Sequence, residues 1–329
     1  MTRVPSIAVV TVVAAVSFWW PGVAAQSQGS REVSVFPVQG AVSVLIGPGG
    51  LSGESANVTV QTSDDAVVLV DTGREGVSEQ FAAAIRRVSA RPVRFIINTR
   101  AARDHTGGNE ALARSGRPSG GRAAGAGFLL ADQNAGATII AHENVLSALS
   151  GAAGGKAAPF GALPSETYFT SRHELFNGEA IQLFHESAAL TDGDSIVFFR
   201  RSDVISTGDI FSTLTYPRID RAAGGSIAGL IAALNHIIDL AVPRDKQEGG
   251  TYIIPGHGRV ADEADVVEYR DMVVIIRDRV QDLLTKGKSL AEIKAAKVTF
   301  DYERRYSTPA WTGEHFVEAI ASSLSQSAR

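Results

Sequence analysis

The sequence predicts an α/β (α+β) protein built as a four-layer αββα sandwich, two β-sheets face to face with helices outside. Three observations carry that prediction. Short β-branched runs crowd the first third of the chain, two successive passes of strands are each followed by helical spacing, and PVRFIINT is a continuous apolar run of buried-strand type.

Taken in order, VSVFPV, AVSVLIG, NVTVQTS and AVVLVDTG between residues 33 and 73 are separated by Gly, Ser and Asp and read as an antiparallel meander. Residues 75–88 have helical spacing, with Phe81, Ala84, Ile85 and Val88 on one face. PVRFIINT, residues 92–99, is a buried strand, and RAARDHTGG follows it as a strand-to-helix loop, the position where α/β folds place ligands. The Gly-, Arg- and Ala-rich stretch 115–127 and the stretch 151–161 read as surface loops. ATIIAHENV then restarts the strand-helix pattern, and strands follow in EAIQLFHES, DSIVFFRRS and DVISTGD. A helix is expected over 226–240, a strand in TYIIPGHG, helical structure over 261–296 with a break near Gly287, and a last helix over 312–324. Val266, Val267, Met272, Val273, Ile276 and Val280 in that helical region fit packing on the core.

The 329 residues are 44% hydrophobic and 20% charged, which allows a large core and sets the chain apart from disordered sequences. A net charge of -4 without any Lys/Arg-rich run gives no field for a phosphate backbone, so nucleic acid is not an expected partner. Cysteine is absent, which excludes disulfides, thiolate ligands and thiol nucleophiles; any metal site must use His, Asp or Glu.

The first residues combine Arg3, an apolar run over 7–20, Pro21 and the small residues Ala24 and Ala25, the layout of a signal peptide cleaved after Ala25. The apolar run is shorter than the roughly 20 residues that span a bilayer. The expected organisation is a signal peptide over 1–25 and a single domain over 26–329, whose helical part from about 261 extends beyond a minimal sandwich. The mature chain is thus expected to be exported, periplasmic or extracellular, with no membrane attachment after cleavage.

Three distant stretches share one design, a strand ending in metal-capable residues beside glycine. They are RDHTGG with Asp104 and His105, STGD with Asp209, and PGHG with His257. In isolation Asp104 reads as a helix cap and His105 as its hydrogen-bond neighbour. Together, in this order, the three motifs resemble the metallo-β-lactamase fold superfamily, whose signature is HxHxDH and GG after a strand, then a distal His, a GD motif and a final His after PG. The resemblance runs from VDTG at Val70 to Gly258 and implies the metallo-β-lactamase αββα sandwich, with Asp71 as a structural residue near the site.

Aligned on DHTGG, the first two histidines of the signature fall at Arg100 and Ala102, and the distal one at Leu190 before TDGDS. None of these side chains can ligate zinc, so the resemblance implies a degenerate first metal site and an intact second one. The implied metal ligands are Asp104, His105, Asp209 and His257, holding at most one Zn²⁺ or none. Asp104, Asp209 and Arg100 are the implied catalytic groups. Arg100 can fill the empty volume, pair with Asp209 or Asp71, or grip an anionic substrate. One subgroup of the family's β-lactamases works with only the second site filled, although it has a cysteine where this chain has Asp209.

The implied activity is hydrolysis of a small ester, lactone or lactam-type molecule by a single zinc. The alternative is a non-catalytic or metal-independent member that binds a ligand or partner in the former active-site pocket. His185 is read as structural, because shifting it onto position 190 would break the TDGDS alignment. His142, His173, His236 and His315 belong to no motif and are read as structural or exposed, and Arg103 as solvated charge.

Overall fold

The computed structural model describes residues 32–117, 136–152 and 154–327. The expected signal peptide, and the part of the 115–127 loop from 118 onward, lie outside the described residues.

The meander forms as expected: β1 (Ser34–Gln39), β2 (Val42–Ile46), β3 (Val58–Thr62) and β4 (Val67–Val70) pair antiparallel in sequence order. Three parallel additions, β5 (Val93–Ile97), β6 (Thr138–His142) and β7 (Glu166–Tyr168), complete a seven-stranded sheet ordered β1 to β7. Between them lie α1 (Ser78–Val88), the short α2 (Arg103–Thr106), α3 (Asn109–Arg114) and α4 (Glu143–Leu149). The second sheet has five strands, β8 (Arg172–Phe176), β9 (Ala180–His185), β10 (Ser195–Phe199), β11 (Val204–Gly208) and β12 (Tyr252–Pro255), ordered β12-β11-β10-β9-β8. Around it lie α5 (Ile227–Leu240), α6 (Glu263–Thr285), α7 (Leu290–Ala295), the short α8 (Glu303–Tyr306) and α9 (Gly313–Ser327).

Strand alternation produces the layers, because successive side chains point to opposite faces. Val42, Val44, Val68, Val70 and Ile97 of the first sheet meet Ile181, Leu183, Val197, Phe199 and Ile254 of the second in a central core. Their chain neighbours Leu45, Val67, Leu69 and Ile96 turn the other way, onto Phe81, Ala84 and Ile85 of α1 and Leu112 of α3. Ile196, Phe198, Ile205 and Ile253 likewise cover the outer face of the second sheet against α5, α6 and α9. Strands with both faces buried read as unbroken apolar runs, which is why they were legible.

Three local readings are corrected. The first helix begins at Ser78 rather than at 75, after a turn that Gly76 makes at a φ of 88°. Val267 is only partly buried, while Tyr269 takes a core place on α6. Strands β7 and β8 were not anticipated; both are sheet edges, and ETY and RHELF carry polar, largely exposed side chains with no apolar run to mark them.

The unassigned histidines have structural partners. His142 accepts from the Asn144 amide at the start of α4 and stacks on His185, whose Nε2 faces the Asp192 carbonyl. His173 stacks on Tyr168, and His315 accepts from the Thr312 amide. His236 on α5 pairs with Glu186 at 2.6 Å, and this bond raises its pKa above the usual 6.5 despite partial burial. A raised folded pKa gives stability that is full below the unfolded value and lost as pH rises through the folded one. The melting temperature of the protein should therefore exceed that of His236→Gln most clearly below pH 6.5. The gap should narrow as the buffer is made alkaline; a gap independent of pH would refute the assignment.

Candidate metal centre

The functional side chains sit where strands end. Asp71 follows β4, Arg100 through His105 follow β5, Asp209 follows β11 and His257 follows β12. Because β4 and β5 are parallel neighbours, as are β11 and β12, their C-terminal ends lie side by side at one rim of the sandwich. Gly208 and Gly256 let the loops close up. A side chain at Gly208 would strike Thr99 Oγ1 at 2.7 Å, and one at Gly256 would strike Asp209 Oδ1 at 2.5 Å and His105 Cε1 at 2.8 Å.

Asp104, His105, Asp209 and His257 come together there, each offering one ligand atom within 4.8 Å of the others. His257 Nε2 lies 2.9 Å from Asp104 Oδ2 and 3.8 Å from Asp209 Oδ1, and His105 Nε2 lies 3.2 Å from Asp209 Oδ2. Asp104 is not a cap: the N-cap of α2 is Ala102, with no side-chain cap, and the Asp104 carboxylate faces His257 instead.

Asp71 stands behind this cluster. Its Oδ2 is 2.7 Å from His105 Nδ1 and accepts from Thr99 Oγ1, while its Oδ1 accepts from the Thr99 amide. The residue adopts a φ of 59°, a left-handed conformation that aspartate tolerates better than most residues. Facing a carboxylate, Nδ1 must be the protonated nitrogen, which aims the other ring nitrogen at the cluster. The carbonyl of His105 is gripped by the amide and hydroxyl of Thr72, and Asn98 and Asn109 exchange reciprocal side-chain hydrogen bonds beneath. No motif marked these asparagines; their signal was only their polarity beside a buried strand.

Arg100 enters the volume expected for the first metal. Its Nη1 donates to Asp209 Oδ2 at 2.8 Å, and its Nε lies 3.8 Å from Asp194 Oδ1. It does not pair with Asp71, which belongs to His105 and Thr99. Ala102 is partly exposed, and Leu190 is buried in the outer core of the second sheet while touching the cavity. Asp194, inside TDGDS, was not singled out from the sequence.

The charges are strongly coupled. Burial works against ionising Asp209, yet His105 and Arg100 hold its carboxyl well below the usual range. Burial likewise opposes a proton on His105, but Asp209 and Asp71 outweigh it and raise its pKa well above 6.5. Asp104 is lowered against its partial burial by the hydrogen bond with His257 and the charge of His105. Asp194 goes the other way, because its burial exceeds what Arg100 returns.

These residues fit a metal ion. His105 Nε2 is buried and faces Asp209 Oδ2 at 3.2 Å without a well-formed hydrogen bond, so its lone pair is available to an ion among the four donors. Two imidazoles and two carboxylates without thiolate suit zinc, and a tetrahedral ion held by three of them keeps a position open. Arg100, Ala102 and Leu190 provide no donor for a second ion.

A cavity of about 1210 Å³ opens onto this rim. Its lining includes Asp104, Asp209 and His257, the side chains of Leu190, Leu214, Tyr216 and Tyr269, and the exposed Arg103. Tyr216 and Leu214 come from the 209–217 loop, which no motif announced, and Tyr269 from α6.

The four layers with a His/Asp cluster at one rim define an αββα sandwich protein with a candidate metal centre. A family model for the metallo-beta-lactamase superfamily matches residues 51–257, more than half of the chain. The chain belongs to that superfamily. Solved structures agree on the fold. A metallo-beta-lactamase from Pontibacter korlensis is 14% identical with a TM-score of 0.54, covering 74% of this chain and 99% of its own. The DIM-1 metallo-beta-lactamase is 17% identical with a TM-score of 0.53, covering 74% of this chain and 97% of its own. TMB-1, at 16% identity and a TM-score of 0.53, covers the same shares. A search of curated proteins matched none.

Proposed function

We propose that the chain is a mononuclear metallohydrolase in which Asp104, His105, Asp209 and His257 hold one zinc ion. The observation that carries this reading is the convergence of four donors from three strand ends around a buried imidazole nitrogen that faces Asp209 at 3.2 Å without a well-formed hydrogen bond. When bound, zinc would lower the pKa of its water toward about 7 and polarise a carbonyl.

The protein's own groups supply the rest. Asp71 fixes the ring and tautomer of His105, and Arg100 offsets the charge of Asp209. Asp104 has the most exposed side chain of the four, lines the cavity, and is held ionised, so it can accept a proton from water in the cavity. The cavity has room for a drug-sized molecule, which supports a small acyl substrate of the ester, lactone or lactam type. The structural neighbours are metallo-beta-lactamases, which favours including a β-lactam among the substrates tried. We place the mature protein outside the cytoplasm on the leader-like composition of residues 1–25.

Zinc titration of the purified mature protein by calorimetry should give one ion per chain. Turnover of an ester, lactone or β-lactam should require that zinc and disappear in Asp104→Ala. Absence of binding at micromolar zinc and of any turnover would favour the non-catalytic, ligand-binding alternative, and turnover that survives Asp104→Ala and chelation the metal-independent one.

A further inference from the structure

Arg100 is accounted for neither by metal ligation nor by substrate contact. Its side chain is 11% exposed, and it is not among the residues that line the cavity. The guanidinium spans two carboxylates: Nη1 donates to Asp209, while Nε is buried without a hydrogen-bond partner 3.8 Å from Asp194 Oδ1. Asp194 is itself only 3% exposed and accepts from the Thr191 amide. The Ser195 amide donates to the Thr99 carbonyl at 2.9 Å, so the loop carrying Asp194 is tied to the residue just before Arg100.

The charge balance explains why this arrangement persists. Asp71, Asp104, Asp194 and Asp209 crowd one rim, and Arg100 is the permanent cation set among them. A buried carboxylate left without a charge partner is destabilising, so Asp194 depends on Arg100, while Arg100 without Asp194 would be left to Asp209 alone. Asp209 meanwhile divides its oxygens. Oδ2 faces Arg100 and His105, and Oδ1 is the atom nearest His257.

We propose that Arg100 and Asp194 form a fixed ionic plug in the first-metal volume. Arg100 supplies permanent positive charge to Asp209 and keeps a second cation out. Asp194 is a positioning residue that shares the guanidinium with Asp209 and so limits how strongly Arg100 competes with a metal for that carboxylate. The zinc arm of the test below rests on the one-metal reading; the stability arm does not.

In chelator-treated buffer, Arg100→Met and Asp194→Asn should each lower the melting temperature of the full chain by at least about 6 °C. The double variant should lose much less than the sum, because it leaves no uncompensated charge between the two. In calorimetric zinc titrations, Arg100→Met should bind about tenfold tighter and Asp194→Asn about tenfold weaker, with Arg100→Lys near the parent, since a tenfold change needs only about 1.4 kcal/mol. Opposite shifts from two partners of one ion pair are not what a merely structural role produces. Additive melting losses, or zinc shifts of the same sign, would overturn the proposal. If Arg100→Met does not fold, Asp194→Asn against Arg100→Lys still decides it. Zinc binding by no variant would defeat the one-metal reading, and the metal-free melting cycle would then judge the plug alone.

Discussion

Asp71→Asn weakens zinc binding by about 10- to 100-fold while the sandwich stays folded. Its side chain meets the ligand set only through His105 Nδ1, at 2.7 Å, and its other side-chain bonds are accepted from Thr99. Asparagine tolerates the φ of 59° and can still accept from the Thr99 amide, so the backbone has no reason to move. What changes is the group facing Nδ1. An amide NH₂ there donates, which forces the imidazole into the tautomer whose proton sits on Nε2, the nitrogen aimed at the cluster. Calorimetric zinc titration beside circular dichroism measures both halves of the expectation; unchanged zinc affinity would mean that His105 does not ligate.

Arg100→His, Ala102→His and Leu190→His together should raise zinc stoichiometry from at most one to two per chain. Each substitution restores a neutral nitrogen donor where the family signature has one, and the first also removes the cation that occupies the volume. The folded context is less uniform than the motif suggests. Leu190 is buried in the core of the second sheet, so its replacement carries a stability cost that zinc binding must offset. Arg100→His alone should therefore not suffice. Metal analysis of the dialysed triple variant by atomic absorption tests this, and a stoichiometry that stays at one would show that these three positions do not converge on one point.

Much of this molecule was legible because its local and global signals agree. The doubly buried strands had to be apolar throughout, the helices of the outer layers had to show one apolar stripe, and the DHTGG, TGD and PGHG turns had to be glycine-rich for loops to approach one another. The polar edge strands β7 and β8 carried no such mark, since an edge strand is stabilised by one neighbour and exposes the rest. The sequence-based reading of His185 and His142 as structural agrees with their stacked rings, and that of Asp71 as a support for the site agrees with its bond to His105.

By itself the sequence determined the layers, the family and the four residues able to ligate a metal, because each rests on residue type and on spacing along the chain. Only the tertiary structure decided what Arg100 does. Whether a guanidinium turns toward Asp71, Asp209 or solvent depends on which carboxylates surround it, and Asp194 reaches it from a loop 94 positions away in the chain, through the packing of one sheet against the other. Pairing between buried charges is a property of distance and dielectric in three dimensions, and no periodicity or motif records it.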